Sequence, residues 1–221
     1  MGNETVFLVA GGKNHLLAQL LQPYDFWKNT RFIGIDGGAL ELLKLSSPLD
    51  IAIGDFDSIE KNEFDLIKMV AKKIITAPSE KDDTDTQMAL AQAMKEYPNA
   101  RVYILLGATG GRVDHFLSVL GMAVEKRFEE IVEKIELHDE KNVIRFLKAG
   151  NHTIGKLDNY SYVSFACLNK VEGLSIKKAK YELAKTDVEN PYCYTSNEFV
   201  DSKPIEVSFS SGVVAVIQAK D

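Results

Sequence analysis

The sequence has few of the features that place a protein outside the cell, in a membrane or on nucleic acid. Only two cysteines occur in 221 residues, Cys167 and Cys193. They have no metal-ligand spacing, so we expect reduced thiols, with a disulfide between them as the open alternative. No apolar run approaches the roughly 18–20 residues of a membrane span, and the polar first residues do not resemble a secretory signal. The net charge of -6 lacks the basic excess that binds nucleic acid. We therefore expect a cytoplasmic protein with no membrane or nucleic-acid partner.

Two hydrophobic patterns divide the chain. In the first part, short apolar runs alternate with helical patterns at 15–21, 39–45, 59–70, 85–97 and 113–130, which predicts a parallel sheet covered by helices. The predicted strands are 6–10, 32–35, 51–53, 74–76 and 102–106. Later runs at 143–147, 160–165, 171–176, 192–196, 205–209 and 213–217 are divided by turn signals and predict antiparallel strands.

The change of pattern predicts two domains. We expect an N-terminal parallel-sheet α/β domain over 1–133 and a C-terminal antiparallel β-sandwich over 134–221. The sandwich has apolar strands and little helix to cover their edges. A closed two-fold homodimer is therefore expected.

Four acidic, glycine-rich clusters stand at the ends of the early strands or in their connectors. They are Ile35-Asp36-Gly37-Gly38, Gly54-Asp55-Phe56-Asp57-Ser58, Lys81-Asp82-Asp83-Thr84-Asp85 and Gly110-Gly111-Arg112-Val113-Asp114-His115. Because parallel strands end at one edge of a sheet, the clusters predict a single site there. One such cluster alone is more simply an acidic turn before a helix, with Ser58 as an example of an N-cap.

The spacing of the carboxylates predicts Mg2+ at this site. Asp55 and Asp57, at i and i+2 in an extended segment, point to the same side and can share a hard cation, which prefers oxygen ligands. Asp82 and Asp85 have an i, i+3 spacing, which places them on one helical face, directed toward the first pair. Carboxylates packed in this way repel one another without a cation.

Two further clusters suggest phosphate and sugar contacts. Before the helix that begins near residue 113, backbone N–H groups, the helix dipole and Arg112 can converge on phosphate oxygens. Asp114 either holds Arg112 or ligates metal. For His115 we expect a structural, hydrogen-bonded role, with a catalytic role as the alternative. The glycines after Asp36 let the backbone approach a ligand closely. Asp36 then binds a sugar hydroxyl or a metal-bound water, with a plain tight turn as the alternative.

Taken in order, the four clusters and a later Thr195-Ser196-Asn197-Glu198-Phe199 resemble the motifs of the bacterial type of thiamine pyrophosphokinase. The resemblance runs from the first predicted strand to 213–217. It implies an α/β domain for Mg-ATP, a β-sandwich, and a homodimer that holds thiamine between its subunits. The reaction it implies transfers the pyrophosphoryl group of ATP to the thiamine hydroxyl, giving thiamine diphosphate and AMP.

The resemblance also implies roles for individual residues by motif match. The metal ligands would be Asp55, Asp57 and Asp85. The catalytic set adds Asp36, Asp82, Arg112 and Asp114. Contacts to the co-substrate ATP would come from Gly37, Gly38, Lys81, Thr84, Gly110, Gly111 and Arg112, and contacts to thiamine from Ser196 and Asn197. Asp83 stands at a position that the family varies, and is left out.

The aromatic partner of thiamine is unassigned by this match. Eukaryotic members of the family place a tryptophan of the second domain against thiamine, whereas the single tryptophan here, Trp27, lies in the first part. Tyr192, Tyr194 and Phe199 are substitutes by position, although core packing is the expected role of each.

Two other functions stay open. A Mg-dependent phosphohydrolase or nucleotide-sugar transferase would use an Asp-x-Asp pair, but it would not need both the 81–85 cluster and Ser196-Asn197. A non-catalytic thiamine or nucleotide sensor would bind without turnover, and it gains little from many carboxylates around an anionic phosphate. The nucleotide product separates a pyrophosphoryl transfer, which yields AMP, from an ordinary kinase, which yields ADP.

Overall fold

The computed structural model describes residues 2–12, 17–21, 29–76, 78 and 82–221. The chain forms two compact units. One contains the residues up to Val119 together with Leu137–Glu140, and the other contains Leu120–Glu136 and Lys141–Asp221. The domain limits expected from the sequence, 1–133 and 134–221, stay a prediction.

The first unit contains a parallel sheet. Its strands are β1 (Thr5–Val9), β2 (Thr30–Ile35), β3 (Ile51–Gly54), β4 (Lys73–Thr76) and β5 (Val102–Leu106), in the spatial order β5-β1-β2-β3-β4. Every residue of β1 and β5 is buried, as expected for strands covered on both faces. Phe7 and Phe32, paired across β1 and β2, stack with ring centroids 5.5 Å apart. The predicted parallel α/β region is confirmed.

Helices connect these strands. They are α1 (Leu17–Leu21), α2 (Gly37–Lys44), α3 (Lys61–Val70), α4 (Asp85–Glu96) and α5 (Val113–Gly121). The helix expected over 113–130 is wrong in length, because three short 3-10 turns follow Gly121. Glu125 has an extended backbone, with φ -75 and ψ 128, which ends the helical path. The buried residues on its two sides, Met122 and Ala123 before it and Phe128 and Ile131 after it, would also be spread around a continuous helix and not share one face. Among the described residues, no helix is long and apolar enough to cross a membrane.

The later strands are β6 (Ile135–His138), β7 (Asn142–Ile154), β8 (Tyr162–Cys167), β9 (Val171–Lys177), β10 (Leu183–Val188), β11 (Tyr192–Asn197) and β12 (Ile205–Ala219). From β7 onward they pair antiparallel. The two strands predicted at 205–209 and 213–217 are one, β12, with a register shift between Phe209 and Val213. Before the shift β12 pairs with β9, and after it with β8. One bent strand therefore serves both halves of the sandwich.

The second unit has its own apolar core, which includes Phe165, Leu174 and Val207. Both cysteines are free, Cys167 buried and Cys193 exposed. Burial raises the pKa of the Cys167 thiol to about 11. The reduced thiols expected from the sequence are therefore present, and the disulfide alternative is not.

Candidate functional site

A cleft of about 550 Å³ opens at the carboxyl edge of the parallel sheet. All four acidic, glycine-rich clusters contribute to its wall. The predicted site residues that line it are Asp36, Gly37, Asp55, Thr84, Asp85, Gly111 and Arg112. Lys81 lies outside the described residues. The edge of the sheet thus brings together clusters that are far apart in the sequence.

Several predicted residues have other positions. Gly38, Asp57, Asp82, Gly110 and Asp114 do not line the described part of the cleft. At Gly38 the reason is packing, because a Cβ atom there would lie 1.8 Å from the carbonyl oxygen of Val9. Its glycine lets α2 approach β1, which brings the start of α2 to the cleft.

The carboxylate of Asp36 is fixed by the loop after β3. Asp36 precedes α2 with φ 46, and its Oδ1 accepts a hydrogen bond from the backbone N–H of Phe56 at 3.3 Å. Gly54 has φ 153, and a Cβ atom there would lie 1.7 Å from Oδ1 of Asp36. Glycine at 54 is therefore required both by its backbone conformation and by the position of the Asp36 carboxylate.

The segment of Asp55 and Asp57 is a turn. The extended geometry predicted here is wrong, because Phe56 has φ 56 and is buried against Phe64, with ring centroids 4.8 Å apart. The backbone N–H of Asp57 donates to Oδ1 of Asp55 at 3.2 Å. Asp55 lines the cleft, whereas Asp57 is exposed. Anchoring Phe56 in the core turns the chain between the two carboxylates.

Helix α4 begins later than the predicted spacing requires. Thr84 is its N-cap, since Oγ1 of Thr84 accepts from the backbone N–H of Gln87 at 3.3 Å and the Gln87 side chain accepts from the Thr84 N–H at 2.9 Å. Asp82 therefore precedes the helix and does not share a helical face with Asp85. Asp83, which the sequence argument left out, lines the cleft beside Asp85.

Arg112 is held by Asp114 through two hydrogen bonds. Nε of Arg112 donates to Oδ1 of Asp114 at 3.1 Å and Nη2 donates to Oδ2 at 2.6 Å. These bonds lower the pKa of Asp114 to about 2 and raise that of Arg112. Of the two roles open for Asp114, the structure shows the one that holds Arg112.

His115 has a different position from the one expected. Its ring is exposed and lines the cleft, and the hydrogen bond recorded at this residue is made by its backbone N–H to Asp114. Ser58 also lines the cleft and is not a helix cap, because the N-cap of α3 is Glu60. Other lining residues escaped the sequence argument, among them Thr86 and Thr109. Their hydroxyls carry no charge pattern, so only their place after a strand or at a helix start could have indicated them.

The donor atoms fit a cation that arrives with a phosphate ligand. No three His, Cys, Asp or Glu side chains are grouped to hold a metal ion within the described part of the chain. The cleft nevertheless has Asp55 and Asp85 in its wall. Mg2+ typically uses one or two carboxylates, several waters and the phosphates of a substrate, so it does not need a complete protein cage.

The second unit has a separate groove beside the later motif. This groove of about 290 Å³ is lined by Tyr181, Tyr192, Tyr194 and Asn197, among others. Tyr192 is 59% exposed, and its ring packs edge to face on the ring of Tyr194, with ring centroids 4.9 Å apart. Phe199 is buried in the core, as expected.

Ser196 and Asn197 have contrasting surroundings. Ser196 is exposed, with φ 58, at a register shift of β11. Asn197 is 3% exposed. Its Oδ1 accepts from the N–H groups of Tyr181 and Glu198, and its Nδ2 donates to the carbonyl of Tyr181 at 2.7 Å. Asn197 thus fixes the wall of the groove, with one N–H left for other contacts.

Comparisons with known proteins agree with the motifs. Family models of the thiamin pyrophosphokinase catalytic domain and of its vitamin B1 binding domain match residues 24–135 and 151–214. The thiamine pyrophosphokinase of Bacillus subtilis is 32% identical over 99% of this chain and 100% of its own length. A thiamin pyrophosphokinase family structure from Enterococcus faecalis has 39% identity and a TM-score of 0.89 over 99% of this chain and 100% of that one. The yeast enzyme, at 15% identity and a TM-score of 0.69 over 99% and 87% of the two chains, shares the fold.

Proposed function

Because the chain belongs to the thiamine pyrophosphokinase family of transferases, we propose that it makes thiamine diphosphate and AMP by transferring the pyrophosphoryl group of Mg-ATP to the hydroxyl of thiamine. The observation that carries the proposal is the convergence of all four acidic, glycine-rich clusters on one cleft. Pyrophosphoryl transfer needs a site that neutralises phosphate charge and aligns an alcohol with the β-phosphorus.

ATP is proposed to occupy this cleft. Gly110 and Gly111 lie before α5, where backbone N–H groups and the helix dipole favour phosphate oxygens. Arg112 adds a positive charge. A guanidinium has five N–H donors, so the two that Asp114 accepts leave three for the phosphates. Asp114 thus holds the guanidinium at the cleft before the substrate binds, which lowers the cost of ordering it.

Aspartates that line the cleft, together with Asp57 and Asp82 beside it, are assigned to the metal and the substrates. Asp55, Asp57 and Asp85 are proposed to hold Mg2+, which when bound supplies charge neutralisation at the phosphates. Asp36, held in place by the N–H of Phe56, and Asp82 are proposed to orient ATP and the attacking alcohol. Gly37, Gly38, Lys81 and Thr84 complete the proposed nucleotide site.

Thiamine is proposed to contact the second unit at the groove that Asn197 lines and at Ser196, which lies next to the groove but does not line it. Ser196 has a left-handed backbone that non-glycine residues adopt at a cost, and such conformations are enriched at functional sites. Its exposed hydroxyl suits a polar heterocycle. Asn197 then acts through the remaining N–H and through the Tyr181 segment that it fixes.

We also propose that the protein works as a homodimer with thiamine between its subunits, in the cytoplasm, and without membrane or nucleic-acid partners. Apolar residues stand exposed on the second unit, among them Tyr181, Tyr192 and Val200, and burial between copies would stabilise them. Light scattering should give about twice the chain mass of 24.6 kDa. A stable, fully active monomer would contradict the shared thiamine site.

Product identification tests the function. The protein is incubated with ATP, Mg2+ and thiamine, and the products are separated by chromatography, with controls lacking thiamine or containing EDTA. AMP and thiamine diphosphate in equal amounts support the proposal. ADP with thiamine monophosphate would indicate an ordinary kinase, nucleotide hydrolysis without thiamine a phosphohydrolase, and binding without turnover a sensor.

A further inference from the structure

Asp139, whose carboxylate is outside the predicted site, holds a residue of the cleft wall by a hydrogen bond. Thr109 lines the cleft in the loop after β5, and its Oγ1 donates to Oδ2 of Asp139 at 2.7 Å. Asp139 belongs to Leu137–Glu140, the short segment that is part of the first compact unit. The two residues are 30 positions apart, so the contact forms only when the chain folds.

The loop that contains Thr109 is rich in glycine, and its first residue, Gly107, packs closely against the backbone of Ala10 and Gly12. Residues 107–111 form neither helix nor strand, and Gly107 and Gly110 have φ 71 and 74. Three of the five residues are glycines, which restrict the backbone least. Among the described residues, the bond from Thr109 to Asp139 is the side-chain hydrogen bond recorded for this loop. Beyond Gly107, the position of Thr109 therefore depends on Asp139.

The direction of the bond fixes what Thr109 offers a ligand. A carboxylate can only accept, so the hydroxyl hydrogen is committed to Asp139 and the oxygen retains lone pairs for the cleft. We propose that Asp139 is a positioning residue of the nucleotide site. It holds Thr109 at the cleft wall as an acceptor for a hydrogen-bond donor of the bound nucleotide. This inference rests on the proposed function, because it takes ATP as the ligand.

Steady-state kinetics with ATP and thiamine varied in turn tests the inference. Thr109→Val removes the hydroxyl at constant shape, and Asp139→Ala removes the acceptor. Each should raise the KM for ATP by up to about tenfold, the scale of one lost hydrogen bond between neutral groups. The KM for thiamine should stay within about twofold. Asp139 has other interactions, so Thr109→Val is the cleaner removal.

Three variants separate positioning from general damage. Thr109→Ser keeps the hydroxyl and should restore most of the affinity for ATP. Glu140→Ala removes an exposed neighbouring acid and should leave the kinetics and the melting temperature unchanged. The Asp139→Ala/Thr109→Val double variant should lose no more than either single one, because both remove the same bond.

Several results would overturn the inference. The KM for ATP could be unchanged in Thr109→Val, or Thr109→Ser could be as impaired as Thr109→Val. Asp139→Ala and Glu140→Ala could have equal effects. The variants could also melt at a lower temperature and show equally raised KM values for both substrates. If the wild-type protein makes no thiamine diphosphate, the proposed function fails by itself. Calorimetric ATP titration of the same variants then decides the inference, with a weaker Kd expected for Thr109→Val and an unchanged one refuting it.

Discussion

Gly111→Ala tests the cleft because the fold does not require glycine there. Gly111 lacks a left-handed φ, and no heavy atom lies within 4 Å of the place where a Cβ atom would stand. Gly54 is different, since its φ of 153 and the carboxylate of Asp36 both exclude a side chain. An alanine at 111 should therefore fold normally, and any loss must concern what enters the cleft.

The expected magnitudes have opposite signs for stability and for binding. Gly→Ala at a compatible site stabilises by about 0.4–1 kcal/mol, because the unfolded chain loses freedom. In a chain of this size that raises the melting temperature by about 1–4 °C. A methyl group that keeps a phosphate from the backbone N–H groups costs a charge-assisted hydrogen bond, about 1.5–3 kcal/mol. That corresponds to an increase of about 10–100-fold in the KM for ATP.

The assay combines thermal melting with kinetics in which each substrate is varied. Gly155→Ala is the matched control, since Gly155 also lacks a left-handed φ and has no atom within 4 Å of its missing Cβ, but lies outside the cleft. It should be stabilised similarly and keep normal kinetics. The reasoning is refuted if Gly111→Ala melts like the wild type or higher and binds ATP equally well.

Three further predictions concern single side chains. Asp55→Asn should lower kcat at least ~10²-fold with an unchanged melting temperature, and near-normal turnover would remove Asp55 from the metal site. Ser196→Ala should raise the KM for thiamine roughly tenfold and leave the KM for ATP unchanged. Asn197→Ala loses three internal hydrogen bonds, so it should lower the free energy of unfolding by about 3 kcal/mol and the melting temperature by about 6–12 °C. A destabilised Ser196→Ala protein, or a stable Asn197→Ala protein with a raised KM for thiamine, would exchange the two roles. Because Arg112 donates to the Asp114 carboxyl, its pKa falls from the ordinary 3.8 to about 2. The stability that this pairing contributes is therefore present above the ordinary value, declines as the pH falls below it, and is lost at about pH 2. In Arg112→Gln an NMR titration should show this pKa higher, and an unchanged midpoint would contradict the pairing.

The local elements follow from nearby residues. The strands of the parallel sheet are continuous apolar runs, and their predicted bounds lie within two residues of those observed. Helix α4 begins where Thr84 and Gln87 form a capping box, and it ends just before Pro98. These signals act over a few residues, so the chain carries them before it folds.

Which side chains line the cleft depends on contacts between residues that are far apart in the sequence. The sequence placed all four acidic clusters at one edge, because parallel strands end together. It did not reveal that Phe56 turns the chain between Asp55 and Asp57, since that turn requires the packing of Phe56 on Phe64. The course of β12 through both halves of the sandwich depends likewise on partners in β8 and β9.

By itself, the sequence determined the parallel α/β region, the later antiparallel strands, the family and the edge of the sheet that carries the cleft. Only the tertiary structure decided how particular side chains are used. It commits Asn197 to the Tyr181 segment and Asp139 to Thr109, pairs that are 16 and 30 positions apart. Periodicity and motif spacing report local geometry, whereas these hydrogen bonds depend on the packing of distant segments, which no short stretch of sequence specifies.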